Sequence, residues 1–190
     1  MSKSAAIQIE SAQATAVSKP RAVSAEETLL NAIFGVGVTK AHAKKPSERV
    51  RHVEAYRAAP ISRIRLIKGG ISAKVLDQLA KDMGMSKERL AGMLGLARAT
   101  IDRKVREDKP LSSDEGSRVL GMASLIGQVQ TMIEESGNPE GFNAAEWVAR
   151  WLERPLPALG GQKPAELMDT SDGQALVSNL VAAMQSGVYV

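Results

Sequence analysis

The chain of 190 residues carries 25 Lys or Arg against 21 Asp or Glu, a net charge of +4, and 44% of its residues are hydrophobic. This length allows one sizeable domain or two small ones, and the composition is typical of a globular protein that can bury a core. With no cysteine and only 3% aromatic residues, the chain has no disulfide framework, no thiolate chemistry and few stacking platforms for single-stranded nucleic acid.

The first part of the chain, residues 1–46, is predicted to be a flexible segment because Ala and Ser dominate its beginning. A helix over Glu26–Phe34 would be short, since glycines follow it closely. The longest apolar run, Leu29–Val38, contains a polar residue and is shorter than the roughly 20 residues that a membrane span needs. No signal peptide is recognised, so we expect a cytoplasmic protein without a membrane partner.

From Ser47 to Pro110, apolar residues recur at helical spacing between glycine and proline breaks, which predicts a series of short helices. Ser47, Ser72 and Ser86 stand where N-caps are expected. The first two helices carry the stripes Val50, Val53, Tyr56 and Ile61, Ile64, Ile67.

Beyond Leu111, Ser112 and Glu115 have the spacing of a capping box and begin a long helix that ends at Gly137-Asn138-Pro139, a plausible domain boundary. A last helix starts at Thr170 or Ser171 and ends at Gly187. No segment alternates long enough to predict a strand, so the fold class is all-α. Two tryptophans, Trp147 and Trp151, are expected in a helical core, or as partner anchors if they are exposed.

Residues 86–106 have the pattern of a helix-turn-helix. A small residue, Ala91, stands where the second helix would cross the first, and Gly95 allows the turn a positive φ. Five apolar residues would hold the two helices together: Leu90, Leu94, Leu96, Ile101 and Val105. A helical hairpin with a solvated basic face is the alternative interpretation.

The outer face of the second helix follows from its inner face. If Ile101 points inward, Ala99, Arg103 and Arg106 lie nearly opposite, and arginine can read guanine edges with two hydrogen bonds. Arg98 lies in the exposed first turn. The predicted DNA-binding residues, including flanking positions and two from the first helix near the DNA backbone, are Lys87, Arg89, Arg98, Ala99, Thr100, Asp102, Arg103 and Arg106.

Charge is distributed unevenly along the chain. Residues 40–74 contain ten basic and two acidic residues, whereas residues 111–190 contain four basic and ten acidic residues. The asymmetry suggests a polyanion as the partner of one region and a different partner for the other, although charges that only solubilise the protein would look the same.

No catalytic or cofactor-binding pattern is present. His42 and His52 are the only histidines, they have no cysteine nearby, and we expect both on exposed loops or helices and not in a metal site. Gly160-Gly161 lacks the Lys-Ser or Lys-Thr of a phosphate-binding loop. We therefore expect neither an enzyme nor a bound cofactor.

The segment Pro155-Leu-Pro-Ala-Leu-Gly-Gly-Gln-Lys-Pro164 and the terminal Gly187-Val-Tyr189 resemble the toxin-binding domain of Xre/ParS-type antitoxins from RES–Xre toxin–antitoxin systems. The helix-turn-helix and the run Leu111–Leu120 resemble the other half of that family, so the resemblance covers roughly residues 61–190. Composition, the break at Gly137-Asn138-Pro139 and the resemblance together predict three parts: a flexible segment 1–46, an Xre-like DNA-binding domain 47–137 and a toxin-binding domain 138–190. The resemblance also implies that the protein neutralises a RES-domain, NAD-degrading toxin by direct binding and represses its own operon at operator DNA.

The toxin contacts are predicted at the end of the last helix and in the tail after it: Met184, Gly187, Val188, Tyr189 and Val190. A homodimer is expected, because operators with two-fold symmetry are bound by two-fold proteins. Two other functions stay open. One is a stand-alone helix-turn-helix regulator whose C-terminal region only dimerises, and the other is a nucleoid protein with little sequence preference.

Overall fold

The computed structural model describes Ile33, residues 48–137 and residues 139–186, with the backbone alone at residues 48–50. Within these ranges the chain forms α1 (Glu48–Arg57), α2 (Pro60–Gly69), α3 (Val75–Asp82), α4 (Lys87–Met93), α5 (Arg98–Arg106), α6 (Ser113–Glu135), α7 (Ala144–Leu152) and α8 (Ser171–Gln185), with 3-10 turns at Pro157–Leu159 and Pro164–Leu167. The described ranges contain no strand, only an isolated bridge between Ser72 and Pro110. The predicted all-α class is confirmed.

The long helix α6 forms the centre of the fold, with α1, α2, α7 and α8 packed on it. It begins with the predicted capping box: Ser112 Oγ accepts from the Glu115 N–H at 3.2 Å, and Glu115 Oε2 accepts from the Ser112 N–H at 2.6 Å. Helix α1 crosses α6 at Gly127, where a Cβ atom would overlap the carbonyl oxygen of His52. Only glycine permits so close an approach of the two backbones.

Buried side chains from both predicted domains form one hydrophobic cluster. It includes Leu90 and Met122 before the predicted boundary at residue 137, and Leu152, Met168 and Val177 after it. The predicted boundary at residues 137–138 falls between α6 and α7. Because buried residues from both sides of it belong to one cluster, the hydrophobic core continues across the boundary. The boundary itself stays a prediction.

Two details of the predicted helices were wrong. In α2, Ile61 and Ile64 are 55% and 46% exposed while Leu66 is buried, because α2 rests on α6 through a different face. Ser72 does not cap a helix: α3 begins at Val75, and the Ser72 hydroxyl accepts from the Lys74 N–H at 3.3 Å. The bridge to Pro110 holds Ser72 outside the helix.

A buried ion pair joins α1 to α3. Arg51 Nη2 lies 3.2 and 3.0 Å from the two carboxylate oxygens of Asp82, and Gln78 donates to Asp82 at 2.6 Å. His52 Nε2 lies 3.2 Å from Asp82 Oδ2, so the expectation that His52 is exposed was wrong: the residue is buried against its charged neighbours. Burial by itself would raise the pKa of Asp82, but hydrogen bonds from His52 and Gln78 and the charge of Arg51 outweigh it and lower that pKa.

Of the predicted N-terminal segment, only Ile33 belongs to the described residues, where it is helical and buried. The rest of the segment 1–46, His42 and the proposed cap Ser47 lie outside them. Among the helices that are described, none has both the length and the apolar character to cross a membrane.

Candidate nucleic-acid interface and C-terminal surface

Helices α4 and α5 form the predicted helix-turn-helix. Ser86 caps α4 by accepting from the Arg89 N–H at 3.2 Å. The turn follows at Gly95, which has a φ of 60°, and the Leu96 N–H then donates to the Ala91 carbonyl at 2.8 Å. The residues predicted to hold the helices together are buried, except for the partly buried Val105: Leu90, Ala91, Leu94, Leu96 and Ile101.

The outer face of α5 presents the predicted basic residues to solvent. Ala99, Arg103 and Arg106 are exposed, and Thr100 is half-buried beside them. Among the described residues, no carboxylate lies within ion-pair distance of Arg103 or Arg106. Arg98, whose side chain is 70% exposed, lies 3.7 Å from each of two acids, Glu88 and Asp102. Within the described residues, Arg103 and Arg106 are therefore exposed arginines of α5 that form no ion pair.

Lys87 and Asp102 bind each other and tie α4 to α5. Lys87 Nζ lies 2.9 Å from Asp102 Oδ1 and 3.7 Å from Asp77 Oδ1. The hydrogen bond from Lys87 lowers the pKa of Asp102, and the same bond raises the pKa of Lys87. Both residues were predicted to contact DNA. The pair links α4 to α5, and a contact of either residue with DNA stays a prediction.

Arg89 points toward the C-terminal part of the chain. Its Nη2 lies 2.9 Å from Glu153 Oε1 at the end of α7, and Lys163 Nζ lies 3.3 Å from the other oxygen of Glu153. The hydrogen bond from Arg89 lowers the pKa of Glu153. The side chain of Arg89 is still 58% exposed, so a contact to the DNA backbone remains a prediction.

Sequence reasoning missed Arg118, which supports the turn of the helix-turn-helix from behind. Its Nη1 donates to the Leu94 carbonyl at 2.8 Å and to the Gly95 carbonyl at 3.2 Å. No local pattern could have identified it, because its partners lie far away in the sequence and an arginine in α6 looks like an ordinary surface residue.

The proline-rich motif builds a compact turn between α7 and α8. Gly160 and Gly161 both have positive φ, and the Leu156 N–H donates to the Gln162 carbonyl at 3.1 Å. The rings of Trp147 and Trp151 stack at 5.8 Å on α7, and Trp151 is buried. Trp151 therefore belongs to the core, as the first of the two interpretations predicted, whereas Trp147 packs against the core and is only partly buried.

The predicted toxin contacts lie at the end of α8. Met184 is 44% exposed, and Leu176, two turns earlier, is 45% exposed. Both are large apolar side chains on the surface of α8. The other four predicted contacts, Gly187 to Val190, lie outside the described residues.

No group of His, Cys, Asp and Glu among the described residues is arranged to hold a metal ion. Asp102 and Glu88, the acidic residues beside the predicted DNA-binding face, each lie within ion-pair distance of a Lys or Arg. What the geometry offers is a basic helix face for a polyanion and an apolar helix surface for a protein.

Two protein-family models match the chain. Residues 62–124 match the antitoxin Xre-like helix-turn-helix domain, and residues 140–187 match the antitoxin Xre/MbcA/ParS C-terminal toxin-binding domain. The first match contains α4 and α5, and the second contains α7, the proline-rich turn and α8.

The chain is also similar to known antitoxins. It is 44% identical over 134 residues to the Prs ADP-ribosylating antitoxin of Sphingobium sp. (strain YBL2), which is 70% of this chain and 84% of that protein. It is 21% identical over 154 residues to antitoxin Xre of Yersinia enterocolitica, covering 79% of this chain and 99% of that protein. A third relative, antitoxin Xre of Pseudomonas putida, is 23% identical over 88 residues, 46% of this chain and 50% of that protein.

Proposed function

Because the chain belongs to the Xre/MbcA/ParS family of type II antitoxins, we propose that it neutralises an NAD-consuming toxin by binding it directly and represses its own operon. The matched helix-turn-helix and the matched toxin-binding domain supply one part for each task. The observation that supports the proposal best is their separation: the basic face of α5 and the apolar surface of α8 belong to different matched domains.

The toxin is proposed to act on NAD for two reasons. The motif around Pro155–Gly161 and the C-terminal Gly-Val-Tyr resemble antitoxins that pair with RES-domain, NAD-degrading toxins. The name of the Sphingobium relative contains the word ADP-ribosylating, and transfer of ADP-ribose breaks the nicotinamide–ribose bond of NAD. Both kinds of toxin would consume NAD. They differ in the acceptor of ADP-ribose, which is water for a toxin that degrades NAD and a protein for a toxin that ADP-ribosylates.

Toxin binding is assigned to the end of α8 and the tail. Exposed Met184 supplies apolar contact area, and burying such a side chain favours protein association. The tail contains Tyr189, a rigid aromatic residue of the kind that dominates interface energies. The antitoxin itself is proposed to be a non-enzymatic, cytoplasmic protein that blocks the toxin by occupying its active site.

Operator binding is assigned to α5. Arg98, Arg103 and Arg106 would provide base and phosphate contacts, and exposed Ala99 would approach a thymine methyl group. A homodimer would place two such helices on the two halves of a symmetric operator.

The test is co-expression of this chain with the toxin encoded by the neighbouring gene, followed by purification of the complex. Cellular NAD and ADP-ribosylated proteins are measured with and without the antitoxin. We expect a stable complex and restored NAD. If ADP-ribosylated protein appears in cells without the antitoxin, the acceptor of ADP-ribose is a protein and not water. A gel shift with the DNA upstream of the operon tests the operator binding that repression requires.

Each alternative has its own outcome. Specific DNA binding without capture or neutralisation of the toxin would identify a stand-alone regulator. DNA binding with equal affinity for upstream and unrelated sequence would indicate a nucleoid protein. Either result would overturn the proposed function.

A further inference from the structure

Arg118 in α6 joins the turn of the helix-turn-helix to the segment that precedes α8. In addition to its bonds to the Leu94 and Gly95 carbonyls, Nη1 lies 3.2 Å from the carbonyl oxygen of Asp169. The first two carbonyls belong to the turn between α4 and α5, whereas Asp169 belongs to the matched toxin-binding domain. Through this one nitrogen atom, α6 is connected both to the turn between α4 and α5 and to the segment that precedes α8.

The guanidinium of Arg118 is held firmly in this position. Its Nη2 forms an ion pair with Asp114 at 2.6 Å, and its side chain is only 12% exposed. The backbone carbonyl of Arg118 accepts from Gln174 Nε2 at 3.0 Å, and the same nitrogen donates to the Met168 carbonyl at 2.9 Å. Arg118 is therefore fixed to the C-terminal domain through both its side chain and its backbone.

The turn at Gly95 rests directly on these groups. A Cβ atom built on Gly95 would lie 2.8 Å from Arg118 Nη1 and 2.9 Å from Asp169 Cβ. Since these distances are below normal contact, a side chain at position 95 would force Arg118 or Asp169 to shift. Helix α5 begins three residues later at Arg98, so the position of the turn determines where α5 begins.

The chemistry explains why an arginine stands here. The last carbonyls of a helix have no partner within it, and the end of a helix carries partial negative charge. A guanidinium satisfies these acceptors with charge-assisted hydrogen bonds, which are stronger than neutral ones. Loss of the Arg118 side chain would leave the Leu94 and Gly95 carbonyls without this donor.

We propose that Arg118 is a positioning residue for DNA recognition, through which the toxin-binding domain sets the orientation of the recognition helix α5. The inference rests on the proposed operator binding. Arg118 does not face the outer surface of α5, so its effect on DNA is transmitted through the turn at Gly95. The DNA-binding half of the protein accordingly depends on the segment from Met168 to Gln174 for its active geometry.

The experiment compares the full-length variants Arg118→Ala and Arg118→Lys with Arg150→Ala. Arg150 is an exposed arginine that forms a 3.4 Å ion pair with Glu146. Affinity for the upstream DNA is measured by fluorescence anisotropy at one salt concentration, at a temperature where circular dichroism shows every variant folded. We expect Arg118→Ala to bind about tenfold more weakly, a loss of about 1.4 kcal/mol. Arg150→Ala should bind like the unchanged protein, and Arg118→Lys should restore part of the affinity.

Two further measurements separate positioning from general destabilisation. Toxin binding by Arg118→Ala should be unchanged, and a parallel loss of toxin and operator binding would overturn the inference. Hydrogen exchange of the amides in residues 94–101, measured without DNA, should be faster in Arg118→Ala than in Arg150→Ala. If Arg118→Ala does not fold, Arg118→Lys carries the same comparisons.

The possible failures remain distinguishable. If the unchanged protein does not bind the upstream DNA, repression is overturned while hydrogen exchange still decides whether Arg118 holds the turn. If the unchanged protein binds and Arg118→Ala binds equally well, the positioning role is overturned and the proposed function stands.

Discussion

On the outer face of α5, the arginines differ in how their charges are used. The side chain of Arg98 lies 3.7 Å from Glu88 and from Asp102, so it would have to leave two acids to contact DNA. Arg103 is exposed and has no acid within ion-pair distance among the described residues. Arg103 therefore offers the more available positive charge.

We predict that Arg103→Ala and Arg98→Ala both weaken operator binding, with the larger effect at Arg103, and leave toxin neutralisation intact. Each lost bidentate base contact should cost about 1–3 kcal/mol. Gel-shift titrations give the affinities, and Arg150→Ala serves as the control for loss of one positive charge. Unchanged affinity in both variants would contradict the assignment of α5 as the recognition helix.

The buried ion pair of Asp82 with Arg51 contributes to stability in a pH-dependent way. We predict that Asp82→Asn lowers the free energy of unfolding by about 3–5 kcal/mol near neutral pH, because Arg51 is left as an unpaired buried charge. The folded state lowers the pKa of Asp82, so its contribution is present above the ordinary value of 3.8 and is lost as the pH falls through the folded-state pKa.

Urea denaturation of the unchanged protein and of Asp82→Asn across a pH series measures the difference between their free energies of unfolding. The gap between them should narrow only below the ordinary Asp pKa, as Asp82 becomes protonated in the unchanged protein. Glu146→Gln, which removes an exposed partner of Arg150, should cost less than about 1 kcal/mol. A gap that stays constant through the acidic range would argue against the ion pair as its cause.

At the scale of the elements, the turn between α4 and α5 packs closely against residues from other segments. Gly95 and Gly84 have similar backbone conformations, with φ values of 60° and 64°. Around Gly84, the nearest atom to an added Cβ is Glu146 Cγ at 3.6 Å, whereas around Gly95 Arg118 and Asp169 lie below 3.0 Å. Comparing a substitution at Gly84 with the same substitution at Gly95 therefore separates the cost of backbone strain from the cost of steric contact.

We predict that Gly84→Ala costs about 1 kcal/mol of stability for a residue with positive φ, and that Gly95→Ala costs distinctly more because Arg118 and Asp169 must move. Chemical denaturation of the two variants measures both values. Equal costs would show that the turn at Gly95 is free to relax away from its neighbours.

For the whole molecule, we predict a dimer that forms through the C-terminal half. Exposed Leu176 on α8 is its proposed contact, and Ile61 on α2, also exposed, is the matched control. Sedimentation at micromolar concentration should give a dimer for the unchanged protein and for Ile61→Glu, and a monomer for Leu176→Glu. A monomeric unchanged protein, with or without DNA, would rule the dimer out.

The tail is predicted to be the element that blocks the toxin. Deleting residues 188–190 should leave folding and DNA binding intact and should reduce protection of NAD in cells that make the toxin. Tyr189 is a rigid aromatic residue of the kind that dominates interface energies. Full protection of NAD by a truncated protein that still binds the toxin would assign the blocking role to another surface.

Features that depend on neighbours within a few residues could be predicted from the sequence. At Ser86 and Ser112 the hydroxyl accepts from a backbone N–H three residues later, and residue type and spacing predicted both caps. For the last helix the sequence left Thr170 and Ser171 open, and the structure has Thr170 as the cap. The sequence also predicted the turn at Gly95 and the basic outer face of α5, which follows from helical periodicity.

Features whose partners lie far apart in the chain became visible only in the folded protein. The tertiary structure paired Arg89 with Glu153, buried His52 beside Asp82 and turned Ile61 toward solvent. It also placed Arg118 against Asp169, 51 residues away. The physical reason is the same in each case: ion pairs and burial depend on which helices pack together, and a local pattern of residues does not specify that.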